Sequence, residues 1–226
     1  MTTSARLALP LISVGQSQKE VTHNEALVMI DILLNRTALT LATTPPGSPS
    51  NGDTHLVATS GTSGVFIGHE GKIAYYLTSV AAWQYITPTT GFEILVTGTS
   101  IRYRWTGSAW LALNGVYTPT LTHVTNINGS TAYQCVFNAV GNVCTVSGKL
   151  RFNTTSVAAA QIDLSLPITS NLAAEEDLAG TAVSEDVADG PLWIKGDSAN
   201  NRASIYSYSN GTTSHDHFFT FQYILK

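Results

Sequence analysis

Between Val21 and Leu41 the apolar residues Leu27, Ile30, Leu34 and Leu41 recur by threes and fours, with Thr37 filling the remaining position. A 3.5-residue repeat keeps one seam facing a partner helix, and it predicts a helix over about 22–41. Thr22-His-Asn-Glu25 stands at its start as a capping box: the Thr22 hydroxyl would accept from the N3 amide, and Glu25 would reach back. Thr43-Thr-Pro-Pro-Gly-Ser-Pro-Ser is a turn-rich stop. Met29, Ile32 and Leu33 widen the apolar surface beyond a two-stranded seam. Two packings satisfy this pattern, a three-helix bundle built by three chains and a helix laid on its own domain's sheet.

From 53 to 113 the period drops to two, the spacing of strands. Ala74-Tyr-Tyr76 leads through a turn to Ala82-Trp-Gln-Tyr85, and Tyr103-Arg-Trp105 leads to Ala109-Trp-Leu111. Each reads as a hairpin that buries one aromatic face, with Trp83 and Trp110 in core packing. Asn114-Gly115 and Tyr117-Thr-Pro119 mark a boundary. Beyond it, Leu121–Val124, Tyr133–Phe137, Val143–Ser147, Ile162–Leu166, Ala203–Tyr208 and Phe218–Tyr223 mostly alternate and end on turn residues, as in an antiparallel sandwich or jelly roll. Ala139-Val-Gly-Asn142 reads as a hairpin turn. The expected fold class is mainly β: a short N-terminal trimerising helix, a β-hairpin module, and a C-terminal antiparallel β-sandwich. The expected division is 1–115 and 116–226.

Composition narrows the function. Charged residues make up 12% of the chain, about half the roughly 25% usual in globular proteins, while 30 Thr and 21 Ser carry much of the polarity. A net charge of −4 argues against a nucleic-acid partner, which calls for a basic face. Residues 1–115 hold 6 basic and 6 acidic side chains and 116–226 hold 5 and 9, so the whole excess lies in the second half. No apolar run suits a signal peptide or a membrane span, so membrane insertion is not expected. Cys135 and Cys144 are expected to be free thiols.

No nucleophile elbow, phosphate-binding loop, dinucleotide fingerprint or zinc-protease motif is present, and no catalytic residue, cofactor or metal is expected. His215-Asp-His217 places two rings on one face if it is a strand, half of a metal site, but an exposed loop pair fits it better. Glu175, Glu176, Asp177, Glu185, Asp186 and Asp189 read as a solvated loop rather than a calcium site.

Leu7-Ala-Leu-Pro10, Gln16-Ser-Gln-Lys19, Val21-Thr-His-Asn-Glu-Ala26 and Asp31 resemble a family of domains without assigned function found in phage virion proteins and gene transfer agents. The likeness continues through Pro45–Asp53, Gly68-His-Glu-Gly71, Ala82-Trp83, Pro88, Gly91 and Trp105-Thr-Gly-Ser-Ala-Trp110, covering roughly 5–113. The second half is similar to receptor-binding domains at the C-termini of phage tail fibres. Tyr117–Leu121, Val140–Gly148, Leu166-Pro167, Leu178-Ala-Gly180, Gly196-Asp197, Ser214-His215 and Phe219–Tyr223 carry that likeness. Together the resemblances imply a virion fibre or spike, homotrimeric, attached to other virion proteins through its N-terminus and binding a bacterial surface polysaccharide.

On this reading Trp193, Asp197, Tyr206, Tyr208 and His215, in C-terminal loops, form the receptor surface, and packing in the core is an equally good account of any one of them. Gln16, Gln18, Lys19 and Asn24 fix the anchor or trimer entrance, a set that capping and loop hydrogen bonding explain equally, and Leu27, Ile30, Leu34 and Leu41 form the seam. The rivals are a glycan depolymerase, and a structural connector or capsid decoration without a ligand.

Overall fold

A computed structural model describes residues 10–226. Strand accounts for 47% of the chain and helix for 11%, so the molecule is mainly β, as its alternation predicts. The chain divides into two compact units between Ala112 and Leu113. Leu7, Ala8 and Leu9 of the N-terminal resemblance lie outside the described residues.

The first unit begins with α1 (Lys19–Asn35), then β1 (Thr37–Ala38), β2 (Leu41–Ala42), β3 (Thr54–Val57), β4 (Ile73–Leu77), β5 (Ala82–Ile86), β6 (Glu93–Val96), β7 (Ile101–Trp105) and β8 (Trp110–Ala112). The strands form two four-stranded sheets, β2-β3-β4-β5 and β1-β6-β7-β8. Both expected hairpins are present, with Tyr76 opposite Trp83 and Trp105 opposite Trp110. Trp105 and Trp110 are buried with Leu56, Ile73, Tyr75 and Ile94, whereas Trp83 is partly buried against Phe66.

The helix differs from its expected form at both ends. Gln18, in the left-handed region, precedes it. Thr22 is therefore inside the helix and buried, where its hydroxyl accepts from Gln16 Nε2 at 2.5 Å, and no capping box forms. At the other end Arg36 turns left-handed, and Thr37–Ala38 pairs in parallel with Leu95–Val96. Leu41 is consequently a residue of β2, not of the seam. Ile32 and Leu33 are buried in the unit's own core, with Val28 and Met29 packed against it. The opposite stripe is open: Leu27 is 50% and Leu34 77% exposed, with Ile30 between them half-buried.

The second unit contains β9 (Asn114–Tyr117), β10 (Leu121–Thr125), β11 (Ile127–Ala132), β12 (Cys135–Val140), β13 (Val143–Thr154), β14 (Ala159–Ser165), β15 (Leu178–Ser184), β16 (Leu192–Asp197), β17 (Arg202–Tyr208) and β18 (His215–Ile224). They make one curled antiparallel sheet in the order β10-β14-β17-β16-β15-β18-β13-β12-β9, with β11 also on β13. Only Asn126, itself left-handed, separates β10 from β11, so the curl brings distant parts of the strand path together. Alternation then sorts the side chains. Cys135, Phe137 and Ala139 of β12 face inward while Val136, Asn138 and Val140 face out, and β18 contributes Phe219, Phe221 and Tyr223 to the interior. Gly141-Asn142 makes the expected two-residue turn between Val140 and Val143. Cys135 and Cys144 are free and buried, and burial pushes both thiols up, away from reactivity.

Gly180 shows how tightly that interior is closed. A Cβ added there would lie 2.3 Å from the Thr220 carbonyl oxygen and 2.4 Å from Phe221 Cβ. Gly180→Ala should therefore destabilise the unit by roughly 1–3 kcal/mol, because backbone on the paired strand has to move. Chemical denaturation reads this as a lower midpoint at unchanged slope; an unaltered midpoint would show that β15 and β18 separate easily.

Candidate functional site

Strand alternation places one row of polar and aromatic side chains on the outward side of β14, β17 and β16. Register pairs Trp193 with Tyr206, Tyr206 with Gln161, Lys195 with Ser204, and Ser204 with Asp163. Next to this row lies an open cleft of about 410 Å³, lined among others by Gln161, Asp163, Lys195, Arg202, Ser204 and Tyr206. Glu175, from the short 3-10 turn ahead of β15, and the 198–200 turn also line it.

The charges around the cleft are mostly engaged. Lys195 Nζ lies 2.6 Å from Glu175 Oε2 and 5.2 Å from the centre of the Tyr206 ring. The Glu175 carboxylate raises the Lys195 ammonium above its ordinary value. Arg202 donates to the Thr122 hydroxyl. Asp197 accepts from the amides of Ala199 and Asn200 and from Asn200 Nδ2, so its carboxylate shapes the turn. Trp193 stacks on Tyr206, with centroids 5.6 Å apart and planes 6° from parallel, yet stays 49% exposed. One face of the indole is thus covered by its neighbour and much of the rest is open to solvent.

The five residues expected in loops all belong to strands: Trp193 and Asp197 to β16, Tyr206 and Tyr208 to β17, His215 to β18. Tyr206 and Asp197 line the cleft, Trp193 adjoins it, and Tyr208 is exposed beyond Tyr206 on the same strand. His215 stands elsewhere, 3.6 Å from Asp186. Asp163, Ser204, Gln161, Lys195 and Arg202 had no motif to betray them, since only strand pairing brings them together, and Glu175 of the acidic run joins them from the turn ahead of β15.

The His-Asp-His run is a strand segment rather than an exposed loop. His217 is 2% exposed and stacks on Phe152 at 3.8 Å, with Nε2 3.8 Å from Asp189. Burial pushes its imidazole down to about 4. Asp216, pointing the other way, accepts from Lys149 at 2.6 Å and lies 2.8 Å from Arg151 Nε. The Lys149 ammonium holds it below the usual carboxylate range. The acidic stretch is likewise ordered: 178–184 is β15, Asp177 pairs with Lys226, and Asp189 accepts from Ser184 Oγ. Among the described residues no group of three or more His, Cys, Asp or Glu side chains could hold a metal.

At the N-terminal end Gln16 is a local brace, accepting from the Ser13 amide while it donates to Thr22. Gln18 supplies the left-handed turn into α1, Lys19 opens the helix, and Asn24 is exposed. In the hairpin module, Gly71 has a positive φ and the Trp105 ring sits where its Cβ would be, at 2.3 Å. That contact ties the Gly68–Gly71 turn to the Trp105–Trp110 hairpin in one compact core. Residues 23–111 match a domain family described as a protein of unknown function, DUF2793. The DUF2793 region spans most of α1 and both tryptophan hairpins. It ends before the C-terminal sheet, so the cleft lies outside it. Gln16, Gln18 and Lys19 precede it. No curated protein matches the chain.

Proposed function

We propose that the chain is a virion fibre or spike protein, homotrimeric through its N-terminal unit and binding a bacterial surface glycan through its C-terminal unit. The Trp193–Tyr206 stack beside the open polar cleft carries this reading. A sugar offers an apolar ring face and a rim of hydroxyls, and this surface offers the complement: a half-exposed indole beside hydrogen-bonding groups and engaged charges. Adhesion requires no catalytic group, and the reading assigns none. Attachment to other virion proteins is assigned to the N-terminal unit, where the open Leu27–Leu34 stripe supplies the surface for self-association.

The test is retention of the intact chain on bacterial cells and on their purified surface polysaccharide. Trp193→Ala should weaken retention about tenfold, the loss of an aromatic worth on the order of 1–2 kcal/mol. Retention that ignores Trp193 would place the contact elsewhere, and absence of retention from every bacterial surface tried would leave a connector without a ligand. Release of reducing sugar would make the protein a depolymerase.

A further inference from the structure

Asp163 occupies the middle of β14 and is 3% exposed, at the floor of the cleft. Its Oδ1 accepts twice, from Ser204 Oγ at 2.7 Å and from Gln161 Nε2 at 3.1 Å. Among the described residues its Oδ2 receives no hydrogen bond, and the carboxylate forms no ion pair. The two cations of the cleft are engaged elsewhere, Lys195 with Glu175 and Arg202 with Thr122. The Oδ2 of Asp163 therefore has no protein donor among the described residues and lies in the lining of the cleft. Such a group facing an open cleft marks where a ligand supplies what the protein withholds.

We propose that Asp163 is the acceptor for a vicinal diol of an uncharged pyranose seated in this cleft. Ser204 and Gln161 fix the carboxylate in place, leaving Oδ2 to take hydroxyl donors from the ligand. Tyr206 stands opposite Gln161 and so on the diagonal from Asp163, roughly 7–8 Å away, and both line the cleft, a separation that one bound sugar ring can bridge. The cleft's lining carries three carboxylates, Asp163, Glu175 and Asp197, against two cations, Lys195 and Arg202, so no excess of positive charge invites an acidic sugar. The inference rests on the glycan reading above and names the sugar chemistry of its site.

The probes are methyl glycosides of glucose, galactose and mannose, titrated into the intact chain and followed by saturation-transfer NMR. The control is a permethylated glycoside, which keeps the ring and has no donors. At least one glycoside should bind and the permethylated compound should not. Asp163→Asn should weaken binding about tenfold or more, since a hydrogen bond to a charged acceptor is lost. The same isosteric change keeps an acceptor for Ser204 and should leave the thermal midpoint nearly unchanged. A purely structural Asp163 predicts a lower midpoint and unchanged sugar binding. That result, equal binding of the permethylated compound, preference for glucosamine over the neutral glycosides, or no binding at any concentration would overturn the assignment. Glycoside binding that depends on Asp163 without retention on any bacterial cell would uphold the site and sink the adhesion reading. Retention on cells that ignores Asp163→Asn would do the opposite.

Discussion

Lowering the pH from 7 to 4 should cost the C-terminal unit about 3 kcal/mol of stability, mainly through His217. Burial between Phe152 and the 185–189 segment favours the neutral imidazole and pushes its pKa from 6.5 down to about 4. Asp189, a hydrogen bond to the His215 backbone and Glu185 oppose that shift and the charge of the His215 ring adds to it, but desolvation dominates. In the unfolded chain the same ring takes up a proton below 6.5, so the unfolded state binds more protons throughout the interval between 6.5 and 4. Stability is therefore full above pH 6.5 and falls as the pH drops, at about 1.4 kcal/mol per unit, levelling below 4. Asp216, held low by Lys149, and Asp177, held low by Lys226, also lose their native advantage on acidification, but only as the pH falls towards and below their unfolded values near 3.8. Urea unfolding across this range measures the slope. His217→Phe keeps a ring against Phe152 and cannot titrate, so its profile should be flat between pH 6.5 and 4. An equal slope in both proteins would refute the assignment to His217.

The second large effect concerns self-association. The intact chain should run as a trimer, three times its 24.1 kDa mass, and Leu27→Glu with Leu34→Glu should reduce it to monomers. Both leucines stand on the stripe of α1 that turns away from the unit's own core, at the three-four spacing of a helix seam with Ile30 between them. Ile30 and Leu34 also line, with Phe92 and Arg36, a groove of about 380 Å³ at the end of the helix. Glutamate suits an exposed helix position, so the monomer's own unfolding midpoint should move little, whereas three buried copies of each carboxylate are prohibitive at a seam. Light scattering at micromolar concentration reads the outcome. A native chain that is already monomeric would end the argument, as would a double variant that stays trimeric.

The two faces of α1 also show what a one-dimensional pattern conveys. Its apolar residues outnumber those a single contact can bury, and that excess was legible as a choice between a bundle and a helix on its own sheet. The fold uses Ile32 and Leu33 for the second contact and leaves the seam stripe open, so both apolar faces exist. The ends of the helix were not legible. The turn at Arg36 and the strand at Leu41 are set by pairing with 95–96 and with Leu56–Val57, partners far along the chain. Likewise Thr22 matched a cap by spacing, but a helix that starts at Lys19 puts it inside, against the core.

β15 and β16 read as loops among their Gly, Ala and acidic residues. Most other strands with one face on the core and the other in water were readable, because a period of two follows from the pleat itself. Hence the hairpins at Tyr76–Trp83 and Trp105–Trp110, the turn at Gly141-Asn142 and the mainly β class were all present in the order of residues. Their neighbours were not. The cleft joins 122, 161–163, 195–197 and 202–206, and His217 is dry because Phe152 and Asp189 cover it. Local alternation says which way a side chain points, but what it then meets depends on strand order and register, which are chosen by the whole sheet as it closes on its interior. The sequence alone therefore determined the mainly β class and the hairpins whose alternation it carries, and only the tertiary structure decided the ends of α1, the strands at Leu178–Ser184 and Leu192–Asp197, and the place of Asp163 at the floor of a cleft.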